Sequence, residues 1–469
     1  MFDSSNRLVR RTSIIAAILA TIVYLSYRGL FTLNFDGIYA IVASVSLYIA
    51  EVYGCFLMFL YFFQIWELVE PEPVPPLEGR TVDVYIPTYN EDPELLRGTI
   101  SAAVALDYPH ETYVLDDGNR QPVAALAAEL GATYINRPSN LHAKAGNLNH
   151  AMEITEGEFV VIFDADHVSR QDFITRLLGY FEDDKLGFVQ TPHSFYNFDN
   201  FHGMLNYKKQ TYWEEGELFY NVIQPGKNYW NGVSFCGSAA MFRRSALVDV
   251  GLVATETITE DMHTGLRMHA KGWKSLFVNE RLVSGQAATD VSTFNTQRLR
   301  WGEGNLGIFA FDNPLTMPGL TIAQRICYLG SMLSWTTGLQ KLQLYIAPML
   351  MLLTGIAPVA ELSWSLGIIT VVYMMMIWTA VTVTSNGHGH LVGTELTHMA
   401  AFWTQIQSCY RAVFKRKKTK FVVTAKRGRQ TNSIRRFIMP QCLYIAGSAL
   451  AIAWASTMYA IGLDRKSVV

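Results

Sequence analysis

The chain has 469 residues, room for two or three domains, and half of them are hydrophobic while only 17% are charged. That is well below the ~25% charged fraction of an average soluble domain, which argues against a wholly aqueous protein and for one part membrane, part aqueous. The formal net charge of -2 hides an uneven distribution: no Asp or Glu occurs from Leu396 to Leu463, whereas Arg411 to Arg436 carries eleven Lys and Arg.

In chain order, Arg7, Arg10 and Arg11 precede an apolar run from Ser13 to about Leu33. Its length, the lack of an AxA-like cleavage site and the second apolar run behind it predict a transmembrane anchor rather than a signal peptide. The second run covers Ile38 to Trp66 and is interrupted by Glu51, an ionisable group expensive enough in a span to predict a bundle-facing or pore-facing position. Arg28, near the outer end of the first span, is expected to snorkel. Pro71 to Pro76 reads as a stiff polyproline linker. Beyond it, strands are predicted at Val82–Pro87, Thr112–Leu115, Thr133–Asn136 and Phe159–Phe163, and helices at Pro93–Leu106, Gln121–Leu130 and Lys144–Thr155. Short apolar strands alternating with helices predict an α/β domain with a mostly parallel, Rossmann-like sheet covered on both faces, binding ligands beyond the carboxyl ends of its strands. Further spans are predicted at Leu339–Ala357, Leu362–Thr384 and Phe437–Leu463, with an amphipathic, interface-lying helix at Ile322–Thr337.

The expected organisation is a membrane region at 1–70, a cytoplasmic α/β domain at 71–320, an interfacial helix and two spans at 321–386, a basic amphipathic segment at 387–436 and a last span at 437–469. Basic residues set the orientation: the N-terminal arginines and Arg411 to Arg436 are cytoplasmic by the positive-inside rule, and five spans satisfy both. The odd count leaves room for a further span beyond Val469. The lipid bilayer is thus one expected partner, and no nucleic-acid partner is expected. The five cysteines (Cys55, Cys236, Cys327, Cys409, Cys442) are scattered without CxxC spacing, which argues against a disulfide framework or zinc knuckle.

At the strand ends, Asp116-Asp117-Gly118 follows the second strand and Asp164-Ala165-Asp166-His167 the fourth. Carboxylates at i and i+2 on a turn leaving a buried strand can reach one divalent cation, and oxygen ligands suit Mg2+ or Mn2+. A nucleotide-sugar diphosphate needs such a cation because negative charge builds on the leaving phosphate. One DxD alone is more often a turn former; two acidic clusters at two strand ends of one sheet favour the chemistry.

From these motifs the chain resembles the cellulose-synthase-like branch of the family 2 glycosyltransferases. Tyr89-Asn-Glu91, Asp116-Asp-Gly118, His142 to Asn147, Asp164-Ala-Asp166-His167, Phe235-Cys-Gly-Ser238, Thr259-Glu-Asp261, Gln297 to Trp301 and Phe421 to Lys426 stand in that family's order. The resemblance implies a nucleotide-sugar-binding glycosyltransferase domain inserted between transmembrane helices, in a processive, inverting β-glucan synthase of the bacterial inner membrane. Its donor would be UDP-glucose, its acceptor the growing polysaccharide, and its further partners accessory export proteins or a second copy. Tyr89, Asp116 and Asp117 would hold the uridine, Lys144 the diphosphate and Asp164 the nucleotide, with Asp166 and His167 completing the metal site that Asp164 begins. Asp261, beside Glu260, would be the general base; Gln297 and Arg300 would grip the diphosphate and Trp301 would stack on the terminal sugar. Glu91, Phe235 and Cys236 belong to the same substrate-binding motifs, and Thr424 and Lys426 would close over the donor from a mobile loop. Ser234 stands where cellulose synthases carry a second aromatic near the acceptor. Alternatives are a chitin- or hyaluronan-like synthase using UDP-N-acetylglucosamine, transfer of one sugar to a lipid phosphate, and an inactive export scaffold.

Overall fold

The computed structural model describes residues 7–197, 216–389, 391–414 and 434–461. Thr424, Lys426 and the loop at 421–426 lie outside the described residues, as does 415–433 of the basic segment.

The aqueous domain is built on a seven-stranded sheet. Strands β1 (Val82–Thr88), β2 (Glu111–Asp116), β3 (Thr133–Asn136) and β4 (Phe159–Ile162) are parallel and lie in the order β3-β2-β1-β4. The helices Pro93–Val104, Gln121–Leu130 and Ala143–Ile154 connect them, within two residues of the expected bounds. Period-two alternation sends side chains to both faces of each strand, and with both faces covered the apolar residues fall on both. Val82, Val84 and Ile86 of β1 face one core cluster while Tyr85 faces the other; on β4, Phe159 and Val161 oppose Val160 and Ile162.

The second half of the sheet was not foreseen. It contains β6 (Leu186–Gln190), β8 (Ala240–Arg243) and β9 (Lys274–Phe277), ordered β4-β8-β6-β9. Strand β8 pairs antiparallel with both neighbours, and β6 pairs parallel with β9. The short strands β5 (Val168–Ser169), β7 (Ser194–Phe195) and β10 (Val283–Gly285) form a second sheet. The chain runs outward through β2 and β3 and returns to β4 beside β1. This reversal opens a crevice beyond the carboxyl ends of β1 and β4.

Among the described residues, four helices are long and apolar enough to cross a membrane: Arg7–Phe31, Ile38–Gln64, Trp364–Thr384 and Phe437–Ala460. The expected span at Leu339–Ala357 is a helix, Thr337–Thr354, but not one of the four. Gln340, Lys341 and Gln343 reduce its apolar character, and their partners lie within the bundle: Gln343 donates to Ser46 at 2.9 Å, and Lys341 pairs with Glu395. The amphipathic stretch forms the helix Ile322–Leu333, opened by a capping box between Thr321 and Gln324. Arg28 does not snorkel. It is buried and pairs with Glu51, Nε to Oε2 at 3.0 Å and Nη2 to Oε1 at 3.2 Å. Each ion supplies the counter-charge that makes the other tolerable in an apolar bundle.

The membrane helices dock on the domain through the end of Ile38–Gln64. Trp230 stacks on Phe63 with ring centroids 4.3 Å apart and donates its indole N–H to the Phe63 carbonyl at 2.9 Å.

Candidate active site

The turn after β4 carries the acidic set. One ligand atom from each of Asp164, Asp166 and His167 lies within 4.8 Å of the others. The surroundings orient all three. Asp166 Oδ2 accepts the Gln286 backbone N–H at 3.0 Å, and His167 Nδ1 is bonded to Ser238 Oγ at 2.6 Å. Ser238 Oγ also accepts the Asp164 backbone N–H at 2.8 Å. A Cβ on Gly285 would come within 2.6 Å of His167 Nε2, so glycine there leaves room for the imidazole. Two carboxylates and an imidazole with a fixed ring suit a divalent cation that keeps other positions for phosphate oxygens and water.

Strand β8 explains why residues so far along the chain belong here. Because it runs against its neighbours, the residues before it, Gly237 and Ser238, arrive at the edge where β4 ends. Gly237 has φ of +89°, a conformation that favours glycine, and its carbonyl accepts from Lys144 Nζ at 2.7 Å. Lys144 also pairs with Asp164 and stands in the first turn of Ala143–Ile154, where unpaired backbone N–H groups and the helix dipole favour an anion. Burial works to lower the Lys144 pKa, but Asp164, Glu260 and Asp261 outweigh it and the net shift is upward, so the ammonium stays charged.

Asp261 also borders Gly237. A Cβ at that glycine would sit 3.2 Å from Asp261 Oδ2 and 3.8 Å from Lys144 Nζ. The helix carrying Asp261 spans Glu260–Ala270, so the acid occupies its second position. Burial pushes the Asp261 pKa up to about 7, helped by the adjacent Glu260; the Met262 N–H, Lys144 and Arg300 act in the opposite direction. Cys236 sits beside this carboxylate, hydrogen-bonded to Tyr220, and burial first, then Asp261, pushes its thiol up to about 12. A thiol held protonated is no nucleophile at neutral pH. Phe235 is buried in the core and packs edge-on against Phe242 at 4.8 Å.

Arg300, Gln297 and Trp301 share the helix Val291–Gly307. It crosses close to the Asp261 helix: a Cβ on Gly304 would meet Thr259 Cγ2 at 2.5 Å. Arg298 lies over the Trp301 ring at 4.6 Å, and the Trp335 and Trp301 rings meet at a steep angle with centroids 6.2 Å apart.

The β1 and β2 ends are differently built. Asp116 is fully buried and accepts from Gly118 N at 3.0 Å, Arg120 N at 2.7 Å, the Arg120 guanidinium and Tyr134 Oη at 3.0 Å. Both Asp117 oxygens engage Arg137, at 2.5 and 2.8 Å. Glu91 accepts from Thr88 Oγ1 and from the backbone of Tyr89 and Asn90, so its carboxylate shapes the turn that leaves Tyr89 exposed. The residues with the expected uridine role are therefore tied to Arg120 and Arg137, neither of which stood out in the sequence. Gly118 passes so close to the Tyr89 carbonyl that no side chain fits, holding the two turns together.

Residues 83–251 match the family described as glycosyl transferase family 2, and 248–407 that described as cellulose synthase. The chain is 36% identical over 424 residues to "Cellulose synthase 1 catalytic subunit [UDP-forming]" of Komagataeibacter xylinus, covering 88% of this chain and 55% of that protein. It is likewise 36% identical to "Cellulose synthase catalytic subunit [UDP-forming]" of Pseudomonas fluorescens, covering 85% of this chain and 54% of that protein. The chain thus spans about half the length of these relatives. Among solved structures, a mannosyltransferase from Pyrobaculum calidifontis in complex with GDP-Man and Mn2+ shares the fold, with a TM-score of 0.56 at 17% identity, over 80% of this chain and 99% of that one. The two family matches overlap at 248–251 and together cover more than half of the sequence, a span that includes the acidic turns, the Gly237 segment and the Asp261 and Trp301 helices. The chain belongs to the family 2 glycosyltransferases of the cellulose synthase type.

Proposed function

We propose that the chain is a processive, inverting glycosyltransferase that extends a β-glucan from UDP-glucose. The observation that carries this reading is the convergence at Gly237: a cation, Lys144, and a carboxylate poised near neutrality, Asp261, both border the position a Cβ would take there. Inverting transfer needs both at once, a base for the acceptor hydroxyl and charge compensation for the leaving diphosphate. Asp261 takes the hydroxyl proton as the acceptor oxygen bonds to the anomeric carbon, and the bond from that carbon to the diphosphate breaks on the opposite side. Lys144, the N-terminus of Ala143–Ile154 and Arg300 bear the charge released. Asp164, Asp166 and His167 would hold Mg2+ or Mn2+, which when bound supplies further charge neutralisation at the diphosphate. Tyr89 and the paired Asp116 and Asp117 turn would take the uridine, with Gln297 beside Arg300 at the diphosphate. Trp301 would hold the polymer end with Cys236, and Thr424 and Lys426 would cover the donor. UDP-forming relatives support the donor; the clustered N-terminal arginines support a cytoplasmic catalytic domain at a bacterial inner membrane, with the product leaving through the helical bundle.

The test is to supply purified protein in lipid nanodiscs with UDP-glucose and Mg2+ or Mn2+, measure UDP release, and digest the product with linkage-specific glucanases. Polymer made from UDP-N-acetylglucosamine and not from UDP-glucose would overturn the donor.

A further inference from the structure

His263 is two residues beyond the proposed base and is completely buried. Its Nε2 meets Asp312 Oδ2 at 2.7 Å and its Nδ1 lies 3.2 Å from Thr257 Oγ1. Asp312 follows the helix Val291–Gly307 and the short turn Ile308–Ala310, and the same oxygen accepts from Arg267 Nε at 2.7 Å. Arg267 also pairs with Glu256, in the loop that leads into the Asp261 helix. Two residues of the Asp261 helix thus converge on one carboxylate at the end of the Arg300 helix. At the other end of the contact, Gly304 lets the two backbones approach at Thr259.

We infer that His263 and Asp312 form a buried clamp fixing the Arg300 and Trp301 helix in register against the Asp261 helix, which makes His263 a positioning residue for transfer. The inference rests on the function proposed above. His263 acts by setting the relation between the helices that carry Asp261 and Arg300. Burial lowers the His263 pKa against the opposing pull of Asp312, so the contact is a neutral imidazole N–H donating to a carboxylate that Arg267 keeps ionised. Such a contact needs one donor in one place. Glutamine, whose amide nitrogen reaches about as far as Nε2, can supply it, and leucine cannot. A displacement of about 1 Å between reacting groups can cost on the order of 100-fold in rate, so a modest slip of one helix against the other is enough to be read in kcat.

The experiment compares His263→Leu, His263→Gln and Asp312→Asn with the wild type in nanodiscs, by steady-state UDP release and by amide hydrogen exchange. For His263→Leu, kcat per folded molecule should fall by about tenfold or more while KM for UDP-glucose changes by no more than about threefold. His263→Gln should recover most of that loss, and adding His263→Leu to Asp312→Asn should cost little more than Asp312→Asn alone, because loss of the Asp312 carboxylate already weakens the His263 contact along with that to Arg267. Hydrogen exchange should quicken in both Glu260–Ala270 and Val291–Gly307 for the leucine variant and return toward wild type with glutamine. Unchanged kcat per folded molecule in His263→Leu, or a glutamine variant no better than leucine, would overturn the clamp. If the wild type releases no UDP from UDP-glucose, the functional reading fails instead. Hydrogen exchange then decides on the clamp alone: unchanged exchange in both helices refutes it.

Discussion

Replacing Asp261 with Asn should abolish polymer synthesis and, above neutral pH, stabilise the protein. The two effects have one cause. Folding buries the carboxyl beside Glu260 and raises its pKa from the ordinary 3.8 to about 7. A carboxyl whose folded pKa is raised favours the native state while protonated, and that advantage is lost as pH rises through the folded value. The rise corresponds to about 4 kcal/mol at most at pH 8, a ceiling because the side chain keeps some solvent contact. Asparagine carries no charge to desolvate, so its apparent Tm should exceed that of the wild type by several degrees at pH 8 and by less than half as much at pH 5, because the wild type's loss accrues from about pH 3.8 up to about 7. Catalysis moves the other way. Removing a general base typically costs about 100- to 10,000-fold, and the wild-type kcat/KM should fall about tenfold per pH unit below 7 as Asp261 protonates. The assay pairs UDP release across pH 5 to 9 with thermal unfolding at the two pH extremes, and calorimetric UDP binding confirms that the donor site is intact. Near wild-type turnover by the Asn variant, or equal Tm shifts at both pH values, would refute the reasoning.

Chelation should stop turnover, and Asp166→Ala should raise the Mg2+ or Mn2+ concentration needed for half-maximal activity by about tenfold or more; full activity in excess chelator would dismiss the metal site. Trp301→Ala should shorten the product while UDP affinity holds, whereas Lys426→Ala should weaken UDP binding and slow every cycle. A Trp301 variant of normal product length and poor UDP affinity would move that ring to the nucleotide site. Glu51→Gln, which leaves Arg28 buried without its counter-charge, should lower apparent stability by about 3 kcal/mol, and Arg28→Met with Glu51→Leu should recover most of it; equal losses in the single and double variants would mean that the pair is not coupled.

The first four strands were readable because their periodicity is local: each is a short apolar run bounded by turn residues, and burial on both faces leaves few alternatives. Strands β5 and β7 have two residues each, and β8 is recognisable only by its neighbours in the sheet, so no window along the chain could reveal them. The acidic turn after β4 was visible as a motif and is assembled as one. Arg120 and Arg137 were missed because their significance lies in pairing with Asp116 and Asp117, and the second of those contacts spans 20 residues. Arg28 was misread for the same reason: Glu51 reaches it across a helical hairpin, over 23 residues. Periodicity describes which face of an element is buried, not which ion waits there.

The place of β8 in the sheet has a consequence for biosynthesis. Strand β6 is translated before β8 yet lies outboard of it, so β6 cannot take its final position until β8 stands between it and β4. As the chain leaves the ribosome, β4 therefore has an apolar edge, Phe159 to Ile162, with no native partner on that side until residues 240–243 have emerged. An open, flat, uncharged strand edge is a template for wrong pairing. During that interval of about 80 residues, some 4 to 16 s at ordinary elongation rates, the nascent domain is held by the two preceding membrane helices. Tethering to the bilayer keeps neighbouring nascent chains from meeting edge to edge by free diffusion. Removing the interval, by a circular permutation that opens the chain between β7 and β8 so that β8 is translated before β4, should raise the yield of folded protein when the N-terminal helices are absent.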